Sequence, residues 1–271
     1  MSQRFHRDCA HFQHRMESLA RAMPNAASRD RMNPSVGGAR AATGLMFQAE
    51  VFAWWAAHAV GGTAPGLGLG PAVRVDAVGC ETGFPVDDVG VSLTSGGFIL
   101  VQAKSGMRRL DPRAADLRSA VDQLVSAMIN GLDVNGIAIR PVDDVRDRLV
   151  IVTSHDSSQA FDVLGRVCGH LRDYPRSMPV HGAARNEGER RALKTLLDVV
   201  ESAWTAVAGS GPTDGELRRF LRVLEVCRLD LERDTGADRT RGGAMLDRAT
   251  VPQPFAVLVG IGLEAARTRT W

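Results

Sequence analysis

The stretch Pro85–Lys104, PVDDVGVSLTSGGFILVQAK, decides the fold. Asp88–Leu93 alternates in character, Thr94-Ser95-Gly96-Gly97 is a turn sequence, and Phe98–Lys104 opens with four consecutive apolar residues. That is the pattern of a β-hairpin. The unbroken apolar start of its second strand predicts a central position, covered on both faces. Gln102 and Lys104 are two apart, so their side chains share one face of the sheet. Ala103 points to the other face and offers its backbone carbonyl as a metal ligand. Counted outward from Ser95–Gly96, Asp88 and Lys104 fall at nearly paired positions at the open end of the hairpin.

Working outward, Val73–Val78 alternates and predicts another strand, after a Gly- and Pro-rich loop over 61–71. Residues 41–60, AATGLMFQAEVFAWWAAHAV, form a helix apolar nearly all round, which predicts burial. Between Arg40 and His58 its only formal charge is Glu50. A lone buried carboxylate costs several kcal/mol unless a cation or metal meets it, so something positive should face Glu50. Downstream, residues 113–131 switch to helical period, with Leu117, Val121, Leu124, Val125, Met128 and Ile129 on one face. Leu149–Thr153 predicts a fourth strand and Ser157–Leu171 a further helix. The expected class is α/β: an αβββαβ core with a mixed central sheet flanked by helices, followed by a helical region.

Three segments are expected: an N-terminal arm and linker over 1–40, the core over 41–172, and a helical C-terminal region over 173–271. In the arm, His6–Met23 suits an amphipathic helix and Pro24–Gly38 a linker. His6, Cys9, His11 and His14 cluster there, at spacings that match no established zinc pattern. In the last region, Leu193, Leu196, Leu197, Val200, Trp204 and Val207 repeat at helical period. Thr213 with Glu216 makes a capping box. The helix it opens is expected to bury Leu217, Phe220, Leu221, Leu224 and Leu231. Pro254 opens a last helix, which lacks a Gly or Pro stop before Trp271. A continuation into a further domain, or an end docked on a partner, is expected from that.

Composition narrows the function classes. Hydrophobic residues make up 44%, and formal net charge is +2. The first is globular, and the second excludes a uniformly basic nucleic-acid coat, so any such contact needs a local patch. Arg108, Arg109, Arg113 and Arg118, following the hairpin, are the candidate patch for gripping a phosphate backbone. Four scattered cysteines without a CxxC pair suit reduced cytosolic thiols. No apolar run is long enough to span a bilayer, and no phosphate-cradling GxxxxGK is present. Basic residues number 33, yet only two are lysines, Lys104 and Lys194. A compact ammonium is not replaceable by guanidinium where a point charge must fit beside a reacting group, which draws attention to Lys104, while Lys194 looks like ordinary helix surface.

The string PVDDVGV…FILVQAK, with Glu50 on the preceding helix, resembles the core of the PD-(D/E)xK nuclease superfamily, in the variant with Gln two before Lys. It is most similar to the double-stranded-DNA endonuclease and Mrr-like domains at the N-termini of bacterial antiphage defence proteins, many of which continue into a STAND-type NTPase and sensor. The likeness covers about residues 40–155. It implies a restriction-endonuclease-like fold and a catalytic set of Glu50, Asp88, Gln102 and Lys104. Asp88, Glu50 and the Ala103 carbonyl would hold Mg²⁺ or Mn²⁺, with Asp87 the alternative to Asp88. Lys104 would orient or activate water and offset phosphate charge. Apart from the resemblance, Gln123 lies at the edge of its helix stripe, on the side from which it could touch the site, and His155 follows the fourth strand, where a strand-end cap is preferred to a place in the site.

The implied activity is a cytoplasmic, metal-dependent endonuclease acting on double-stranded DNA with low sequence specificity in antiphage defence. Its partners would be DNA and either further copies of the chain or a fused NTPase, with no membrane. The alternative is a degenerate nuclease fold that binds DNA or assembles a larger complex. Each residue also has a plain reading. Asp87 and Asp88 are turn formers, Lys104 keeps a strand end soluble, and Glu50 pairs with an arginine such as Arg74.

Overall fold

The computed structural model describes residues 36–80, 86, 88–134, 138–175, 177–247 and 252–268. Along them run α1 (Val36–Gly61), β1 (Val75–Cys80), β2 (Val89–Leu93), β3 (Phe98–Lys104), α2 (Ala115–Asn130), β4 (Leu132–Val134), β5 (Ala138–Arg140), β6 (Arg148–Ser154), α3 (Ala160–Asp173), α4 (Glu187–Ala208), α5 (Asp214–Val223), β7 (Leu224–Leu229), α6 (Ala237–Met245) and α7 (Pro254–Thr268). The expected helix, three strands, helix, strand and helix appear in that order, with the small β4–β5 hairpin added before β6. The arm residues His6, Cys9, His11 and His14, and Asp87, lie outside the described residues.

The hairpin is the middle of a mixed five-stranded sheet in the order β1-β2-β3-β6-β7. β2 pairs antiparallel with β3, Val89 opposite Val101 and Ser92 opposite Phe98. Gly96 supplies the turn's left-handed residue at φ 75. β1 is antiparallel to β2, while β6 runs parallel to β3 and β7 parallel to β6. Both faces are covered, which is why Ile99, Leu100 and Val101 in succession are fully buried.

Two cores follow from the period-2 alternation of the strands. On one face Leu100, Leu149, Ile151 and Val226 pack with Leu117, Val121 and Leu124 of α2, Phe161 and Leu164 of α3, Leu196 of α4 and Phe220 of α5. On the other, Val89, Val91, Val101 and Val152 pack with Phe47, Val51, Trp54 and Trp55 of α1 and Leu258 of α7. Helix α1 is thus enclosed between sheet and α7, as its all-round apolar surface requires. A Cβ at Gly262 of α7 would stand 2.9 Å from the Phe52 ring and 3.0 Å from the Ala49 carbonyl, so a glycine lets the two helices approach.

The region after 173 corrects one expectation. It is not helical throughout. The Thr213 capping box is present, but its helix ends at Val223, and Leu224–Leu229 is a strand of the main sheet, Leu224 beside Leu149 and Leu229 beside Ser154. Leu224 and Leu231 are buried, on a strand and the loop after it rather than on a helix face. The C-terminal segment therefore completes both the sheet and the two cores.

Candidate functional site

At the open end of the hairpin, Asp88 stands one residue before β2. Its carboxylate Oδ2 accepts the Ala103 backbone N–H at 2.8 Å. The Lys104 ammonium lies 3.6 Å from the same oxygen, and the two side chains are 22% and 19% exposed, so the pair is reachable from solvent. From the α1 side the Gln48 amide donates to the Asp88 carbonyl at 2.7 Å. Asp88 is thus anchored through side chain and backbone by two different elements. In an antiparallel pair a residue sends its N–H and C=O to the same neighbour. The Ala103 carbonyl therefore also faces the β2 side, beyond the last paired residue, Val89.

Gln102 is fully buried. Its Nε2 donates to Gln123 Oε1 on α2 at 2.8 Å, and its own Oε1 meets no donor. A buried acceptor left without a partner costs about 1–3 kcal/mol. Lys104 lies beside Thr153 in the parallel register. Thr153 hydroxyl contacts Ser157 hydroxyl, and Ser154 Oγ accepts the Gly106 N–H at 2.9 Å. These contacts tie the β3 exit to the β6 exit. The cluster sits at the carboxyl ends of parallel strands, where open α/β sheets commonly bind ligands.

Glu50 belongs to α1, which packs on the face of the sheet opposite α2, the helix that carries Gln123. The Glu50 Oε1 is 3.4 Å from Arg239 of α6, and its Oε2 is buried without a partner. Burial pushes its pKa up to about 7, with Arg239 pulling it down and Glu232 and Asp234 pushing it up. The positive charge expected opposite Glu50 is thus a guanidinium from the C-terminal region. Arg74 instead hydrogen-bonds the carbonyls of Pro71 and Val73. Arg239 also reaches the Leu231 carbonyl, Asp234 and the face of Phe255. Sequence periodicity could not reveal a partner 189 residues away.

Among the described residues no group of three His, Cys, Asp or Glu side chains is placed to hold a metal ion. The oxygen donors carried by the residues at this end of the hairpin are the Asp88 carboxylate, the Ala103 carbonyl and the Gln102 amide oxygen. These are hard oxygen donors, with which Mg²⁺ keeps several waters. The Gln102 oxygen is buried without a donor among the described residues, and a cation or a hydrogen-bond donor would satisfy it. Arg108, Arg109, Arg113 and Arg118 are all exposed, on the loop after β3 and the first turns of α2. His155 contributes its backbone carbonyl, to Arg228. Gln48 was not expected in the site. A polar residue on an otherwise apolar helix, two before Glu50, was its available signal.

No helix among the described residues is long and apolar enough to cross a membrane. No protein-family model matches the chain, and neither a curated protein nor a solved structure matches it.

Proposed function

We propose that this chain is a metal-dependent endonuclease that hydrolyses double-stranded DNA with low sequence preference, on a restriction-endonuclease-like α/β core. One observation carries the reading. Asp88, held by the Ala103 N–H, lies 3.6 Å from Lys104 at the hairpin end, and Gln102, two residues before Lys104 on the same strand, has a buried side-chain oxygen without a donor. A carboxylate, an amide oxygen and an ammonium at one strand end suit a divalent ion beside a phosphate.

In this reading Asp88, Gln102 Oε1 and the Ala103 carbonyl hold Mg²⁺ or Mn²⁺. The metal, when bound, polarises a phosphoryl oxygen and lowers the pKa of a water. Lys104 offsets the charge that develops on the phosphate. Gln48 keeps the Asp88 backbone seated against α1. Arg108, Arg109, Arg113 and Arg118 grip the duplex through its phosphates, which carries no sequence information. Glu50 is left out of this ligand set, because its Oε1 already meets Arg239 at 3.4 Å. The proposal extends to an antiphage effector in the cytoplasm, working as a homo-oligomer or joined to a STAND-type NTPase, on the strength of the sequence resemblance alone.

The test is supercoiled plasmid with Mg²⁺ or Mn²⁺ at two protein concentrations. Wild type should nick and linearise it, EDTA should stop the reaction, and Lys104→Ala should abolish it. Cleavage by Lys104→Ala within twofold of wild type would overturn the roles assigned. A second reading, a fold that binds DNA without cutting it, is favoured by the capture of Glu50 by Arg239, which leaves the site one described carboxylate. It predicts salt-sensitive DNA binding and intact plasmid in either metal.

A further inference from the structure

The loops that leave β3 and β6 are pinned to each other. After β3 the chain passes Gly106, whose N–H donates to Ser154 Oγ at 2.9 Å. Met107 follows, with its side chain buried and its carbonyl accepting the Ser158 N–H at 2.9 Å. The exposed Arg108 and Arg109 come next. They leave the sheet from a fixed point, and that point is only as firm as the loop after β6.

That loop, residues 155–158, is held in turn from β7. Arg228 Nη1 donates to the carbonyls of His155 at 3.2 Å and Ser157 at 3.0 Å. Its Nε donates to Asp162 Oδ1 on α3 at 3.1 Å, and its Nη2 lies 2.8 Å from Asp162 Oδ2. A planar guanidinium serves these four acceptors at once, a fork that a lysine ammonium does not reproduce. The Arg228 side chain is 15% exposed and its charge already faces a carboxylate, so it is poorly placed to grip a phosphate itself. The bonds run in a chain from α3 through Arg228 and the 155–158 loop to Met107, and so to the two arginines.

We propose that Arg228 is a positioning residue for duplex binding: from the C-terminal strand it fixes the loop that seats Arg108 and Arg109. The inference rests on the reading of those arginines as phosphate contacts. Misplacing a functional group by about 1 Å can cost on the order of 10²-fold, so a slack seat should be felt.

The test is binding of a short duplex to the full chain in Ca²⁺, with backbone hydrogen exchange and thermal melts alongside. Arg228→Gln and Arg228→Lys should each weaken binding about tenfold, part of the loss that misplacement brings. Ser154→Ala, which removes the acceptor of the Gly106 N–H and leaves Arg228 in place, should act in the same direction. Exchange at Gly106 and Ser158 should quicken in the Arg228 variants, while Leu100 and Val101 stay protected. The deciding readout is coupling. In a chain already carrying Arg108→Ala and Arg109→Ala, Arg228→Gln should weaken binding by less than about twofold further, whereas a direct DNA contact or a general loss of stability would add in full. Retained binding in both Arg228 variants and in Ser154→Ala, or an equal loss with and without Arg108 and Arg109, would overturn the positioning role. If the chain with Arg108→Ala and Arg109→Ala binds duplex like wild type, phosphate gripping is wrong and the inference falls with it. If that chain loses binding while the Arg228 and Ser154 variants keep it, gripping stands and only the inference falls.

Discussion

Asp88 and Glu50 are both acidic, both anchored near the sheet, and both opposed by one cation, yet they serve different ends. Asp88 is 19% exposed at a strand end, with Lys104 at 3.6 Å and a backbone N–H already on its carboxylate. Glu50 is 8% exposed between two helices and meets Arg239 at 3.4 Å. One pair is open to an incoming phosphate; the other joins α1 to α6. The number of carboxylates near a sheet therefore says little about catalysis, and what matters is which of them solvent and substrate can reach.

The comparison breaks first, and by the largest factor, on activity. Asp88→Asn keeps an acceptor for the Ala103 N–H but removes the charge, and Lys104→Ala removes the ammonium. Each should lower plasmid cleavage by about 10²–10³-fold, the range typical of losing a charged stabiliser of the transition state. Glu50→Gln should leave cleavage within about threefold, since no reacting atom depends on it. A loss at Glu50 as large as that at Asp88 would show that the two faces work as one site. Metal-dependent cleavage rates with matched thermal melts separate the outcomes.

Stability against pH sharpens the same contrast. Glu50 has its pKa raised by burial to about 7. The folded protein therefore holds a proton that the unfolded chain releases above the ordinary glutamate value of 4.5. This contribution is complete below 4.5 and is lost as pH rises to about 7, on the order of 3 kcal/mol. His58, also on α1, is driven the other way: burial first, then Arg241, lowers its pKa to about 4. Its contribution is complete above 6.5 and is lost as pH falls to about 4, again on the order of 3 kcal/mol. Between 4.5 and 6.5 the two slopes oppose each other. Glu50→Gln should make stability climb with pH across that window, and His58→Phe should make it fall. Denaturant midpoints at pH 5 and pH 6.5 read the slopes; parallel curves for both variants would remove the assignment.

Much of the hairpin was legible because its signals are local. Period-2 alternation, the Gly96-Gly97 turn and the apolar run of β3 all act within a few residues, and they put Asp88 and Lys104 at the same end of the hairpin, although the register, with Val89 opposite Val101, runs two residues short of the Asp88–Lys104 pairing counted from the turn. The partner of Glu50 was not legible, because packing of α6 on α1 carries no sequence period. The strand β7 was missed for a different reason. Leu217, Phe220, Leu221 and Leu224 continue at helical spacing through the helix end, with no Gly or Pro between α5 and β7. The alternation in LEVCRL is short, and its assignment to the sheet comes from pairing with β6, Val226 beside Ile151.

Gln48 lies between the two regions, since it belongs to the Glu50 helix and holds the Asp88 carbonyl at 2.7 Å. Gln48→Met keeps the volume and removes the donor. It should cost about 1 kcal/mol of stability, the net worth of one such bond. Cleavage should fall with it, because the Asp88 backbone loses one of its two anchors. A thermal melt beside a cleavage rate tests this. Unchanged cleavage would mean that the Ala103 N–H suffices to seat Asp88.

The smallest effects belong to the arginines, which contact neither acidic group in the proposed roles. Arg108, Arg109, Arg113 and Arg118 are exposed, so replacing any one by alanine should change stability by no more than about 0.5 kcal/mol. A residue that neutralises one phosphate should, when removed, reduce the slope of log affinity against log salt by about 0.9. Binding of a short duplex at several salt concentrations, in Ca²⁺ to hold back cutting, measures that slope. Equal reductions for each arginine, without a change in preferred sequence, fit backbone gripping. A shift in preference at one position would mean that an arginine reaches a base edge, and the low sequence specificity assigned to the hairpin end would have to be given up.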